Sequence, residues 1–164
     1  MFTWGNPSRG DDGVGPWFAD RYRDSVHDQF ELVEDFQLQV EHLLDCREGD
    51  LLLFVDARCD DGDGYRLEEI GPSTRVAHTS HALTPRELLG HYLRVFDSPP
   101  PPAFQLTVPG FAFDLGQPMS AETAASCAAA AQLVNHLLAR VRSLNRRMED
   151  FSLEFLNLVE RNFN

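Results

Sequence analysis

Residues 51–56 read Leu-Leu-Leu-Phe-Val-Asp, five consecutive apolar residues followed by an aspartate. A continuous apolar run of this length is typical of a strand that is buried on both faces, as the strands of parallel sheets are. Working outward, shorter apolar or alternating segments predict strands at 1–4, 30–36 and 104–108 and an edge strand at 65–70. The sequence therefore predicts a sheet with residues 51–55 near its centre.

Helical spacing of apolar residues fills the intervals between these strands. It predicts helices over 14–26, over 40–46 and from Ala121 to about 143. Another helix begins at Thr84-Pro85-Arg86-Glu87, where a threonine cap, a proline in the first turn and a glutamate form a capping box. Strands that alternate with helices predict an α/β sandwich with right-handed crossovers.

The length and composition fit one folded domain with a short extension. The chain has 164 residues, of which 43% are hydrophobic and 24% charged. We assign residues 1–145 to a single α/β domain and residues 146–164 to an amphipathic extension with Phe151, Phe155 and Val159 at helical spacing. Such a stripe either packs on its own domain or docks a partner or a second copy, and the sequence leaves the oligomeric state open.

Charge and motif content exclude several classes of function. The net charge of −12 disfavours binding to nucleic acid and to anionic membranes, and the longest apolar stretches are too short for a membrane span. No secretory signal is visible, so we expect a cytoplasmic protein. Three widely spaced cysteines predict neither a disulfide framework nor a zinc knuckle. The HExxH, GxSxG and P-loop patterns are also absent from the sequence.

Three loops are candidates for the functional site, because sites in open α/β sheets gather beyond the carboxyl ends of the strands. The first contains Asp11 and Asp12, the second begins at Asp56, and the third contains His78 and His81. Two carboxylates and an imidazole could bind a divalent metal ion and leave positions open for water or substrate. Each element also has a plainer interpretation, as a helix-capping turn for the aspartates and as a capping or core residue for either histidine.

Histidines elsewhere in the chain are less informative. We interpret His91 and His136, which fall within predicted helices, as structural, and we expect His27 and His42 at the surface.

The order and spacing of these motifs resemble the hydrogenase maturation endopeptidases, which trim the C-terminus of nickel-iron hydrogenase large-subunit precursors. The resemblance is carried by Gly-Asn-Pro-Ser-Arg-Gly-Asp-Asp-Gly-Val-Gly at 5–15, Leu-Phe-Val-Asp-Ala at 53–57 and Thr-Ser-His-Ala-Leu at 79–83. It continues through Val-Pro-Gly at 108–110 and covers roughly residues 2–142. The first motif is similar to the branch that serves bidirectional, NAD-linked hydrogenases.

The resemblance implies a fold and a metal-recognition site. The fold is a three-layer α/β sandwich with a mostly parallel, five-stranded twisted sheet and helices on both faces. The family's metal ligands align with Asp12, Asp56 and His81, and its metal is nickel that the precursor supplies, with no organic cofactor. We expect Asp12 to act with the metal in catalysis and Asp11 to be a second-shell or general-base group.

The resemblance also implies a substrate loop and a partner. Many family members carry Asp-Gly-Gly-Thr after the second strand, whereas this chain has Asp-Phe-Gln-Leu-Gln at 35–39. Asp35 and Gln37 are therefore the candidate substrate contacts, and the expected partner is a nickel-loaded large-subunit precursor. Two alternatives stay open: a nickel-binding checkpoint or chaperone that does not cut, and a plain α/β binding domain without a metal site.

Overall fold

The computed structural model describes residues 1–25, 30–59, 62, 64–74 and 82–143. The predicted extension at 146–164 lies outside the described residues. The elements follow in chain order as β1 (Phe2–Trp4), α1 (Val14–Tyr22), β2 (Val33–Asp35), β3 (Leu52–Arg58), β4 (Arg66–Ile70), α2 (Pro85–Phe96), β5 (Ala103–Pro109) and α3 (Ala121–Ser143). Short 3₁₀ helices occur at Gly10–Gly13, Arg23–Ser25 and Val40–Asp45.

The five strands form one sheet in the order β2-β1-β3-β5-β4. The first four are parallel, and β4 runs antiparallel to β5 at the edge. The carboxyl ends of β1, β3 and β5 therefore lie side by side along one edge of the sheet. This arrangement confirms the prediction of a mostly parallel, five-stranded α/β fold.

Side-chain alternation along β3 divides the core into two layers. Leu53 and Val55 join the core under α1 and α3, whereas Leu52 and Phe54 join the core under α2 and the 3₁₀ helix Val40–Asp45. All four side chains are buried. Successive residues of a strand point to opposite faces, so a continuous apolar run is what a sheet covered on both faces requires. Helices on both faces are thus confirmed.

Three predicted elements differ in extent or type. The predicted strand 30–36 is reduced to the three residues of β2, because β2 pairs only with β1, which is itself three residues long. The helix expected to end at residue 26 is α-helical only to Tyr22 and then tightens into a 3₁₀ turn. The helix predicted at 40–46 is a 3₁₀ helix whose last residue is followed by Cys46 in an extended conformation.

The capping box predicted for α2 is present. The Glu87 backbone N–H donates to the Thr84 hydroxyl oxygen (3.3 Å), and the Thr84 backbone N–H donates to the Glu87 carboxylate (2.9 Å). Pro85 occupies the first helical position. Within the described ranges, every helix is too short or too polar to span a lipid bilayer.

Gly15 of α1 packs directly against the backbone of β1, and this contact yields a testable prediction. A Cβ atom at Gly15 would lie 2.0 Å from the Trp4 carbonyl oxygen and 2.6 Å from the Trp4 nitrogen. We expect Gly15→Ala to lower the free energy of unfolding by about 2 kcal/mol or more, because α1 must move away from β1. Gly71→Ala is the control, since its Cβ would meet nothing within 4 Å. Urea denaturation measures both variants, and equal stabilities would contradict this packing.

Candidate functional site

The candidate site lies where the β1 loop, the β3 strand and the β5–α3 loop meet at the carboxyl edge of the sheet. β3 continues to Arg58, so Asp56 lies within the strand, paired with Thr107 of β5, rather than after it. The β1 loop (residues 5–13) supplies Asp11 and Asp12. Adjacent parallel strands therefore bring these carboxylates to one edge.

Asp12 is held at the end of β1 by the fold of its own loop. Its Oδ2 atom accepts a hydrogen bond from the Asn6 backbone N–H (3.0 Å). Gly5 has φ +136°, and a Cβ atom there would lie 2.0 Å from the Asp12 carbonyl oxygen. Only glycine allows this approach and this backbone conformation. Asp12 is partly exposed to solvent.

Asp56 is a partly buried carboxylate whose pKa is raised to about 7. Burial is the main cause, the Ala57 backbone N–H opposes it by donating to Oδ1 (2.8 Å), and the negative charge of Asp12 raises the pKa further. A hydrogen bond from the Trp4 side chain lowers it slightly. Thr3 of β1 pairs with Val55 of β3, and the Asp12 carboxylate is held by the Asn6 N–H just after β1, so the structure brings two of the predicted metal ligands to the same edge of the sheet.

Asp11 has a different environment from its neighbour. Its side chain is fully buried, and its carboxylate accepts backbone hydrogen bonds from Phe111 (2.8 Å), Ala112 (2.9 Å) and Ser120 (2.7 Å) and one from the Ser120 hydroxyl (2.9 Å). Burial would raise the pKa of Asp11, but these four donors together lower it. A general base needs a lone pair that water can reach. These contacts favour a supporting role for Asp11 over that of a general base, and its part in catalysis stays a prediction.

Additional hydrogen bonds join the β1 loop to the β5–α3 loop (residues 110–120). Gly10 has φ +57°, and a Cβ atom there would lie 2.3 Å from the Ala112 carbonyl oxygen. The backbone bonds run from Gly10 N–H to Gln117 O (3.0 Å), from Asp11 N–H to Ala112 O (2.8 Å) and from Gly116 N–H to Ser8 O (2.7 Å). The two loops thus form one rigid unit.

Sequence reasoning missed the partners of Asp11, although one signal was available. A serine at position 120, directly before the predicted helix, is typical of a helix cap, and its hydroxyl oxygen accepts from the Thr123 backbone N–H (3.2 Å). The same hydroxyl donates to Asp11, which lies 109 residues earlier in the chain. The Trp4 contact to Asp56 was also missed, and no sequence pattern indicated it.

Asp35 ends β2 and Gln37 follows it, at the same edge of the sheet. The Asp35 carboxylate accepts from the Phe36 backbone N–H (2.6 Å) and lies 3.4 Å from His42 Nε2. Gln37 is exposed. Their role as substrate contacts stays a prediction.

The prediction that His42 lies at the surface is wrong, because its side chain is buried against the loop after β2. His42 Nδ1 accepts from the Gln39 backbone N–H (2.9 Å), so Nε2 carries the proton and faces Asp35. The ring also makes an edge contact with Phe2. His91 and His136 lie within α2 and α3, as predicted.

The third predicted metal ligand, His81, lies outside the described residues, as does His78. Among the residues that are described, no group of three histidine, cysteine or acidic side chains is arranged to bind a metal ion. Of the three predicted ligands, the structure describes Asp12 and Asp56, which lie at the same edge of the sheet. The contribution of His81 stays a prediction.

The fold and this edge define an α/β protein with two carboxylates at the carboxyl edge of neighbouring parallel strands. The chain has the fold of the nickel-iron hydrogenase maturation proteases. The hydrogenase maturating endopeptidase HybD from E. coli is 16% identical, with a TM-score of 0.65 over 91% of this chain and 96% of that one. The maturation protease HycI from Thermococcus kodakarensis KOD1 is 21% identical, with a TM-score of 0.59 over 81% and 86%.

A third similar structure is the hydrogenase 2 maturation peptidase from a Thaumarchaeota archaeon, at 18% identity and a TM-score of 0.59 over 84% of this chain and 95% of that one. Four further similar structures are likewise endopeptidases or hydrogenase maturation proteases. No protein-family model and no curated protein sequence matches the chain. The resemblance inferred from the sequence motifs is thereby confirmed at the level of the fold, and the assignment to the NAD-linked branch stays a prediction.

The buried contacts of Asp11 predict a large effect of a nearly isosteric change. We expect Asp11→Asn to lower the free energy of unfolding by about 3 kcal/mol or more, because an amide NH₂ would face backbone donors. The pKa of Asp11 is lowered, so its stabilising effect is present above the unfolded pKa near 3.8 and is lost as the pH falls through the folded pKa. The difference in the free energy of unfolding between Asp11→Asn and the unmodified protein should therefore become smaller as the pH falls.

Urea denaturation at several pH values tests the Asp11 prediction. Asp20→Asn is the control, because the Asp20 side chain in α1 is 80% exposed. A loss of stability no greater than that of the control would contradict the structural role.

Asp56 should show the opposite pH dependence in chelator-treated protein. Its pKa is raised from 3.8 in the unfolded chain to about 7 in the folded protein. The folded protein is therefore most stable below pH 3.8, where Asp56 is protonated in both states, and it loses stability as the pH rises to 7. Asp56→Asn removes this loss and keeps an oxygen acceptor for the Ala57 N–H. We expect the variant to be more stable than the unmodified protein by on the order of 3 kcal/mol at pH 8, with no difference in acid. Urea denaturation measures both proteins from acid to pH 8. A difference in the free energy of unfolding that does not change with pH would refute the raised pKa of Asp56.

Proposed function

We propose that the protein is an endopeptidase that removes the C-terminal extension of a nickel-loaded hydrogenase large-subunit precursor. The observation that carries the proposal is the juxtaposition of Asp12 and Asp56 at the carboxyl edge of a sheet with the hydrogenase maturation protease fold. This position supports a site, because ligands of open α/β sheets bind beyond the strand ends. The sequence motifs that contain these two aspartates are the same ones that carry the family resemblance.

The donor set fits recognition of a divalent ion. Two carboxylates near one another repel when both are ionised, and a bound cation would relieve that repulsion. Asp12 keeps an exposed side while its Oδ2 is oriented by Asn6, and Asp56 is oriented by Ala57. His81 is the proposed third ligand. Carboxylate and imidazole ligands suit nickel, and three of them leave coordination positions for the ligands of the precursor itself.

In this mechanism the nickel is part of the substrate. When held at this edge, nickel would act as a Lewis acid toward a neighbouring carbonyl or water. The work of the chain is to dock the metal through Asp12, Asp56 and His81 and to fix the precursor segment next to them. Asp35 and Gln37 are proposed to contact that segment on the β2 side. The protein would therefore bind the nickel of the precursor before it cleaves the peptide bond.

Replacing the proposed ligands tests the function. We expect Asp12→Asn, Asp56→Asn and His81→Ala each to slow cleavage of nickel-loaded precursor by at least about 10–100-fold, a loss found even for residues that only support metal ligands. Intact mass measurement of the precursor after incubation reports the cleavage. Asp20→Asn, on the exposed side of α1, should cleave at the normal rate.

The same measurement separates the proposal from its main alternative. A precursor that binds the unmodified protein but keeps its full mass would indicate a nickel-binding checkpoint or chaperone. Undiminished cleavage by all three ligand variants would remove the metal-recognition proposal.

A further inference from the structure

We propose that Phe111 and Leu115 form a docking surface, which we call the β5–α3 rim, for a precursor segment that carries apolar and cationic side chains. The inference rests on the proposed function, because it names the surface through which the same site would receive its substrate. Phe111 is 53% exposed and Leu115 is 76% exposed. Large apolar side chains exposed together on one loop are typical of a contact surface.

The rim is rigid although it belongs to a loop. The Phe111 backbone N–H donates to Asp11, and Gly116, next to Leu115, donates to the Ser8 carbonyl oxygen. Arg9 Nε adds a hydrogen bond to the Phe113 carbonyl oxygen (3.3 Å). A surface that is already ordered binds without the entropy cost of ordering a loop. These contacts stabilise an arrangement that leaves two apolar side chains in water.

The rim lies beside the paired carboxylates. Phe111 follows Gly110 at the end of β5, and the Gly110 backbone N–H donates to the Arg58 carbonyl oxygen at the end of β3 (2.9 Å). β5 is the direct neighbour of β3, which carries Asp56, and adjacent strands are about 4.8 Å apart. A polypeptide bound at Asp12 and Asp56 would therefore reach the rim within a few residues.

The charge of this edge determines the kind of segment that fits. Asp12, Asp56 and the exposed Asp114 lie at or next to the rim. Arg9 and Arg58 lie on the same edge but donate to backbone carbonyls. With a net charge of −12 for the whole chain, the field favours a cationic partner. The occupant that fits is a precursor segment with an apolar anchor and flanking basic residues.

Replacing the rim side chains tests the proposal with both forms of the precursor. We expect Phe111→Ser/Leu115→Ser to weaken binding about tenfold to nickel-loaded and to metal-free precursor alike, because the apolar contact does not require the metal. KM should rise while kcat stays within twofold, about the limit of what such assays resolve. Calorimetry with each precursor form gives the affinities, and intact mass gives the rates.

Leu44→Ser/Val95→Ser is the matched control, since these side chains are 78% and 62% exposed on other parts of the surface. The proposal is wrong if the rim variant and the control variant bind the precursor with the same affinity, whether or not that affinity is lower than that of the unmodified protein. Phe111→Leu should retain most of the affinity, which separates an apolar contact from a change in folding. Binding of the unmodified protein should also weaken as NaCl is raised, and a salt-independent affinity would refute the cationic segment.

Failure of the rim proposal can be distinguished from failure of the proposed function. Asp56→Asn should weaken binding only to the nickel-loaded precursor, whereas the rim variant should affect both forms. If no precursor is cut but the rim variant still loses affinity, the function is wrong and the docking surface stands. If cleavage occurs and the rim variant binds normally, only the docking surface is wrong.

Discussion

The buried carboxylate of Asp11 is the interaction on which the carboxyl edge of the sheet depends. It accepts four hydrogen bonds from the β5–α3 loop while shielded from solvent. A buried charge is tolerated only when its lone pairs are well satisfied, and here three backbone N–H groups and one hydroxyl of this loop satisfy them. The β1 loop and the β5–α3 loop are consequently fixed relative to each other, and the position of the neighbouring Asp12 is fixed with them.

The adjacent aspartates divide two tasks that one residue could not perform. Asp11 faces inward and is saturated with donors, whereas Asp12 is partly exposed and accepts from the Asn6 N–H. Consecutive residues of the 3₁₀ helix Gly10–Gly13 point in different directions, so one carboxylate can anchor the loop while the next remains available. This division explains in physical terms why a pair of acids, rather than one, is needed at this turn.

The sequence predicted the parts of the fold that depend on local pattern. The apolar run at 51–55 identified the central strand, and Thr84 with Glu87 identified the start of α2. Asp56 was found because the carboxyl end of a buried strand is a frequent site position. The complete burial of Asp11 could not be predicted, since its hydrogen-bond partners lie 100 or more residues away in the chain. The burial of His42 was missed for a similar reason, because it results from packing against β1 and the loop after β2.

In the proposed function, stability and metal recognition oppose each other at Asp56. Its pKa is raised to about 7 by burial and by the charge of Asp12, so keeping it ionised in the folded state costs free energy. A site selected for stability alone would place an apolar residue at this position, as the preceding Phe54 and Val55 of β3 are. A buried carboxylate has already lost part of its hydration. Binding of a cation therefore stabilises it more than it would stabilise a fully solvated carboxylate, because less water must be displaced. The burial that weakens the isolated protein would therefore increase its discrimination between a precursor that carries a metal ion and one that does not.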